Sequence, residues 1–251
     1  MANVLVTGAG SGFGRGTALE LAERGHTVIA ATFLASEAEE MTGLHDNLST
    51  IVLDVTDPAS VAQVDDLTVD VLVNNAGRGL MAPLTNVPLD EVRKTFDVNV
   101  FGMLAMCQAV IPGMKARGSG RIINVSSIAG VLSGAMSAPY AMTKHAVEAL
   151  SVAMREELAP HGIDVTKINP GPYLTGFNDR MVDGIDPYLE AGDDSAAAAR
   201  DFLKGVMENQ ADPDEIVQAI ANLAEADTTP IETFLPEGIK AMLQAAIDGR
   251  S

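Results

Sequence analysis

The sequence predicts an α/β fold, a doubly wound parallel sheet with helices on both faces, on three observations. Short runs rich in Val, Ile and Leu alternate with stretches of helical character, the runs are apolar throughout, and no linker or repeat breaks the alternation. Strands buried on both faces read as continuous apolar segments because helices cover each side of the sheet, and helical crossovers are what join parallel strands. A length of 251 residues could hold one large domain or two small ones. The unbroken alternation leads us to expect one domain over 1–251.

The first strand is expected at Asn3 to Thr7, followed by a helix that begins near Arg15 and continues through Thr17 to Arg24. Strands follow at Thr27 to Ala31, Thr50 to Leu53 and Val69 to Val73, with Asp57 placed to cap a short helix beginning near Pro58. Then come a helix around Leu89 to Ala116, a strand at Arg121 to Val125, a helix from about Tyr140 to Leu158, and a strand at Asp164 to Ile168. The pattern loosens at about 176–212, around an Ala-rich helical piece from Ser195 to Met207. A segment of that length is expected to be a substrate-covering lid, since long connections in compact domains are usually functional. Pro213-Asp214-Glu215 opens another helix, with proline in the first turn and two carboxylates facing the positive end of the dipole. Ile231 to Leu235 then leads through Pro236 to a terminal helix ending near Ile247, placed to cover the site or to alter subunit packing.

Composition excludes several classes of function. The net charge of −18 and isoelectric point near 4.4 repel DNA, RNA and anionic membranes at long range. Hydrophobic residues make up 47% of the chain and mean hydropathy is +0.17, but the apolar runs are short, so no membrane span is expected. The start MANVLVTG lacks a basic n-region, and a cytoplasmic protein is expected. Cys107 is the only cysteine, which rules out an intramolecular disulfide. With no His or Arg close in sequence to activate it, it reads as a packed thiol. No metal site is expected.

The chemistry begins at Thr7-Gly8-Ala9-Gly10-Ser11-Gly12-Phe13-Gly14, between the first strand and the first helix. Glycines let the backbone turn tightly and approach a pyrophosphate, and the helix N-terminus offers free N–H donors to the anion. The strand–loop–helix context turns a weak glycine pattern into a dinucleotide-binding expectation of the Rossmann type. Asp54 with Val55, and Asn74-Asn75-Ala76-Gly77, close the third and fourth strands at their carboxyl ends, where open α/β sheets bind ligands, and should line the adenosine half. Further on, Lys144 lies four residues after Tyr140 and shares its helix face, with Ser126 and Ser127 ending the strand before. A lysine charge beside the phenol should favour phenolate and make tyrosine usable as an acid or base near neutrality.

The order TGxxxGxG, NNAG, Asn99, serine, YxxxK and Pro170-Gly171 resembles the classical short-chain dehydrogenase/reductase family over roughly Asn3 to Thr175. The resemblance implies an oxidoreductase that interconverts a secondary alcohol and a carbonyl by hydride transfer, with a tetrad of Asn99, Ser127, Tyr140 and Lys144. Tyr140 would exchange the proton, Lys144 would tune it and hold the nicotinamide ribose, Ser127 would polarise the carbonyl, and Asn99 would anchor a water in the proton relay. Ser127 is chosen over Ser126 because it lies thirteen residues before Tyr140, the family's usual spacing, and its neighbour points the other way. Pro170, Gly171, the backbone of Tyr173 and the Thr175 hydroxyl would meet the nicotinamide carboxamide, with the Tyr173 side chain shaping the substrate pocket. Gly8, Ser11, Gly12, Phe13, Gly14, Thr32, Asp54, Val55, Asn75, Ala76 and Gly77 complete the expected cofactor contacts.

At the end of the second strand, Thr32 takes the place of the acid that would select NAD(H). Phe33 and Ser11 stand where phosphate-binding relatives often carry arginine. The sequence leans to NADP(H), with NAD(H) as the alternative. Phe177, Met181, Tyr188, Phe202, Met207, Leu132 and Met136 suit a small apolar or aromatic substrate, and they would equally pack the lid onto the domain. A homodimer or homotetramer is what the family implies. The alternatives are a non-catalytic dinucleotide-sensing regulator, which would be expected to lose Tyr140 or Lys144, and an acyl-carrier-protein ketoreductase, whose acidic partner a surface at −18 would repel.

Overall fold

The structure, a computed structural model, describes residues 1–190 and 192–249. Seven strands, β1 (Asn3–Thr7), β2 (Thr27–Thr32), β3 (Leu48–Val52), β4 (Val71–Asn74), β5 (Gly120–Val125), β6 (Ile163–Pro170) and β7 (Glu232–Leu235), form one sheet in the order β3-β2-β1-β4-β5-β6-β7. Every pairing is parallel. Ten α-helices are described: α1 (Gly12–Glu23), α2 (Ala35–Met41), α3 (Pro58–Val61), α4 (Leu89–Phe96), α5 (Met103–Arg117), α6 (Ala138–Leu158), α7 (Phe177–Asp183), α8 (Asp194–Met207), α9 (Asp214–Glu225) and α10 (Ile239–Asp248).

The continuous apolar runs have the cause expected of them. In β1, Val4 and Val6 join a cluster on the side of α1 and α9, with Leu21, Ile216 and Ile220. Leu5 between them joins the opposite cluster, with Leu72, Met106, Val110 and Val165. Both faces are therefore buried. The strand order reverses between β1 and β4, so the loops leaving their carboxyl ends part there and open a crevice at the top of the sheet.

Several boundaries differ from expectation. β3 ends at Val52, which leaves Leu53 and Asp54 beyond the strand rather than in it, and α1 begins inside the glycine string at Gly12. Asp57 caps α3 as expected, accepting from the backbone N–H groups of Ala59 and Ser60. The helix expected at Leu89 to Ala116 is α4 and α5 joined by a π-helical turn over Asp97–Gly102. Together they make a 29-residue helical run that is long and apolar enough to cross a membrane, contrary to the reading from short apolar runs. Its apolar residues have another use: Met103, Met106, Cys107, Val110 and Met114 are buried, most of them against the sheet. Burial pushes the Cys107 thiol up to about 12, as fits a packed residue.

The segment 176–212 holds α7, a short 3₁₀ turn at Asp186–Tyr188, and α8. It closes over Tyr140 through a third cluster in which Met81, Met136, Met181, Val182 and Ile185 are buried together.

Candidate active site

The crevice is built first by glycines that admit close backbone contact. Gly8 has φ +62°, and a Cβ there would lie 2.8 Å from Ala76 Cα. A Cβ on Gly14 would lie 2.3 Å from the Gly8 carbonyl oxygen and 2.4 Å from Asn75 Nδ2. The two strand ends are tied together across the switch point. The backbone N–H groups of Asn75 and Ala76 both donate to Thr7 Oγ1 at 3.0 Å, and Asn75 Nδ2 donates to the carbonyls of Thr7 at 3.0 Å and Gly8 at 3.1 Å.

Above this seam α1 presents its N-terminus. Ser11 stands at the cap position in extended conformation without a side-chain capping bond, and the first turn carries no acid. The first N–H donors of α1 therefore meet the cleft without a protein acceptor supplied by the cap. Ser11, Gly12, Phe13 and Asn75 line one lobe of the cleft, while Asp54 and Val55 line a second. Gly8, Ala76 and Gly77 line both. A glycine cradle with an open helix end fits the diphosphate of a dinucleotide.

The first lobe also receives the expected reacting side chains. Tyr140 and Lys144 extend from the first turns of α6 and are 7% and 4% exposed. Lys144 Nζ donates to the Val125 carbonyl at 2.8 Å and stands 5.7 Å from the Tyr140 ring centroid. Ser127 lies on the same lobe at the end of β5, and the neighbouring Ser126 turns its hydroxyl to Glu148 Oε1. Burial pushes the Tyr140 phenol up, with a hydrogen bond to Ser127 opposing it, and burial pushes Lys144 down to about 8, with Glu148 opposing that. The expectation that lysine pulls the phenol down is thus reversed here, because desolvation outweighs a charge that is itself being driven toward neutrality. Pro170, Gly171 and Thr175 complete this side of the cleft.

Four expected site residues are placed differently. Thr32 is fully buried and donates its hydroxyl to the Leu34 carbonyl, so its side chain does not line the cleft. Phe33 and Glu37 stand there instead. Glu37, missed in the sequence, accepts from the Leu34 backbone N–H at 3.1 Å and lies directly under Gly10, where a Cβ would strike its carboxylate. The sequence signal was an acid in the first turn of the helix after β2. Tyr173 does not shape a substrate pocket: it is 0% exposed, sits edge-on to Phe13 at 5.6 Å and donates its hydroxyl to Glu215 Oε2 at 2.6 Å. Its large ring fills the core between β6 and α1. Gly14 packs the loop onto α1 and is not part of the cleft wall.

Asn99 lies in the π turn and is fully buried, off the cleft wall. Its Oδ1 accepts from Arg78 N at 2.7 Å, and its Nδ2 donates to Arg78 O at 2.9 Å and Thr143 Oγ1 at 3.0 Å. The side chain is committed to protein partners, and it fixes the loop after β4 to α6. Among the described residues no group of His, Cys, Asp and Glu is arranged to hold a metal.

Residues 2–185 match the short chain dehydrogenase family. The chain is 34% identical over 237 residues to the 3-ketodihydrosphingosine reductase of Bacteroides thetaiotaomicron, covering 92% of this chain and 86% of that protein. Its structure is similar to that of a short-chain dehydrogenase from Streptomyces avermitilis, with a TM-score of 0.86, 31% identity and coverage of 99% and 92% of the two chains. It is also similar to the closed form of a serine dehydrogenase complexed with NADP+, with a TM-score of 0.81, 29% identity and coverage of 93% and 94%. A parallel sheet with its crevice at the switch point between β1 and β4 defines a doubly wound α/β fold. The chain belongs to the short-chain dehydrogenase family.

Proposed function

We propose that the protein interconverts a secondary alcohol and a carbonyl using a nicotinamide dinucleotide, with Tyr140 as the proton donor and acceptor. The observation that carries this reading is a single cleft lined both by the glycine cradle and by Ser127, Tyr140 and Lys144. A bound nicotinamide supplies or accepts the hydride. In the reducing direction the carbonyl oxygen accepts from the Ser127 hydroxyl and the Tyr140 phenol, and the phenol proton passes to that oxygen as its negative charge develops. The raised phenol pKa keeps the proton on Tyr140 at neutral pH, ready for donation. Lys144, held by the Val125 carbonyl, opposes the charge left on the phenolate. Asn99 acts as a support, holding the Arg78 backbone against Thr143 and hence α6 in place.

The dinucleotide is held by Gly8, Ser11, Gly12 and Phe13, by Asn75, Ala76 and Gly77, by Asp54 and Val55, and by Pro170, Gly171 and Thr175. NADP(H) is favoured by the lack of an acid at Thr32 and by the likeness to an NADP+ complex, and is opposed by the Glu37 carboxylate under Gly10. The segment 176–212 serves as the lid of a single domain, and the active form is a homodimer or homotetramer. Phe177, 5.9 Å from Tyr140 between ring centroids, supports an apolar or aromatic substrate. So does the likeness to a reductase named for a 3-keto sphingoid compound.

Titration of the purified protein with NADPH and NADH, followed by nicotinamide fluorescence, and then a ketone and alcohol screen, tests this reading. One or both dinucleotides bind and turnover follows with an apolar ketone. Binding of neither overturns it.

A further inference from the structure

We propose that Arg180 of α7 is a phosphate receptor that closes onto the pyrophosphate of the dinucleotide. The inference rests on the reading of the cleft as a dinucleotide site. The chain carries 34 acidic and 16 basic residues, and an arginine without a carboxylate partner stands apart among the described residues. Among the described residues every other arginine reaches one: Arg15, Arg24, Arg78 and Arg93, and Arg117, Arg121, Arg155 and Arg200. The Arg180 guanidinium has neither an ion pair nor a hydrogen bond among the described residues.

Its position is specific. Arg180 lines both lobes of the cleft, the one holding Ser127 and Tyr140 and the one holding Asp54 and Val55. The first runs from Phe33 and Glu37 past Ser11 and Gly12 to Ser127 and Tyr140, so Arg180 shares it with the glycine cradle, where the pyrophosphate of a dinucleotide would lie. The local contacts agree. Arg180 Nη1 stands 3.0 Å from where a Cβ on Gly176 would be, and the preceding Thr175 has its Cβ 3.1 Å from where a Cβ on Gly12 would be. Gly12 opens α1. Arg180 thus borders the same lobe as Ser11 and Gly12 at the uncapped N-terminus of α1, and both a helix end and a guanidinium are donors suited to a phosphate.

The carboxylates on the cleft wall do not compete for it. Glu37 is turned to the Leu34 N–H, and Asp54 accepts from the backbone and hydroxyl of Thr56. Since Phe177, one turn before Arg180, contacts Tyr140, a guanidinium pulled onto the pyrophosphate also seats α7 over the reacting groups. Cofactor binding and closure of this segment are thereby one event.

Fluorescence titrations of R180Q, R180K and R200Q with NADH and with NADPH test the assignment. R180Q should raise Kd for both dinucleotides by about tenfold or more, the loss of one charge-assisted hydrogen-bonded pair, and R180K should recover part of it. R200Q, which removes a paired guanidinium from α8, should bind as the parent does, and melting temperatures should report that all three variants fold. R180Q affinities unchanged within twofold for both dinucleotides overturn the proposal. A loss confined to NADPH overturns it too, since the receptor would then serve the 2′-phosphate. If the unmodified protein binds neither dinucleotide, the reading of the cleft falls and takes this inference with it.

Discussion

Replacing Gly14 with alanine adds one methyl group at a position where the backbone has no room for it. The new Cβ would lie 2.3 Å from the Gly8 carbonyl oxygen and 2.4 Å from Asn75 Nδ2. Both neighbours belong to the seam between β1 and β4, so the loop must lift or the amide must leave. Overpacking of this kind costs about 1–3 kcal/mol. Displacing Asn75 also gives up its bonds to the Thr7 and Gly8 carbonyls, each contributing about 1 kcal/mol. A loss of about 3–5 kcal/mol is expected, which is a large share of a typical domain's stability. Because the seam supports Ser11 and Gly12, dinucleotide affinity should fall with it. Gly118→Ala is the matched control: its φ is +66° at the end of α5, and a Cβ there meets nothing within 4 Å. That change carries only the left-handed backbone cost of about 1–2 kcal/mol and should leave affinity unaltered. Urea denaturation and NADPH titration of the two variants separate the effects. Equal stability loss in both, with affinity intact in G14A, would refute the steric account of the loop.

Three further outcomes follow from the site. S127A should lose at least about a hundredfold in turnover, the low end of what a positioned acid–base or polarising group contributes, while S126A, whose hydroxyl faces Glu148, should keep most of it. Steady-state kinetics on any ketone found in the screen distinguishes them, and equal losses would contradict the orientation of the two hydroxyls. Lys144 titrates near 8 in the folded protein against a reference of 10.5. The unfolded chain therefore holds the proton over a window in which the folded protein releases it, and stability should rise with pH between about 8 and 10.5. That rise should be absent in K144M, and parallel pH–stability curves for parent and variant would show that the lysine is not desolvated. E37Q should shift the ratio of NADPH to NADH affinity toward NADPH by about two- to fivefold, the scale of an exposed charge interaction. An unchanged ratio would mean that the Glu37 carboxylate lies outside the reach of the 2′-phosphate.

What was legible in the sequence is what repeats in the backbone. The strands of a two-sided sheet announce themselves as apolar runs, and β1, β2, β5 and β6 lie close to where Asn3, Thr27, Arg121 and Asp164 open those runs. The glycine cradle and the Tyr140–Lys144 pair were legible because strand–turn–helix context and a four-residue helical spacing are local properties. Side-chain direction was not. Thr32 ends β2 but is turned inward, and the residues at the cleft come one and five positions later, Phe33 on the loop and Glu37 on α2. Tyr173 follows a motif whose backbone faces the ligand, yet its ring points into the core because Phe13 and Glu215 receive it there. The π turn around Asn99 leaves no trace in an apolar helical pattern, since one wide turn shifts the register without changing composition. Desolvation of Tyr140 depends on α7 folding over it, a contact between residues far apart in the chain.

The measurement that bears most directly on the central claim is the comparison of Tyr140→Phe with the parent, by dinucleotide titration and by turnover of a ketone substrate on the same preparations. The phenol hydroxyl is the one group removed, and the ring, its packing on Phe177 and the glycine cradle remain. The account predicts that Y140F binds the dinucleotide within about twofold of the parent and loses at least about a hundredfold in turnover. Turnover retained by Y140F at the parent's rate would contradict it.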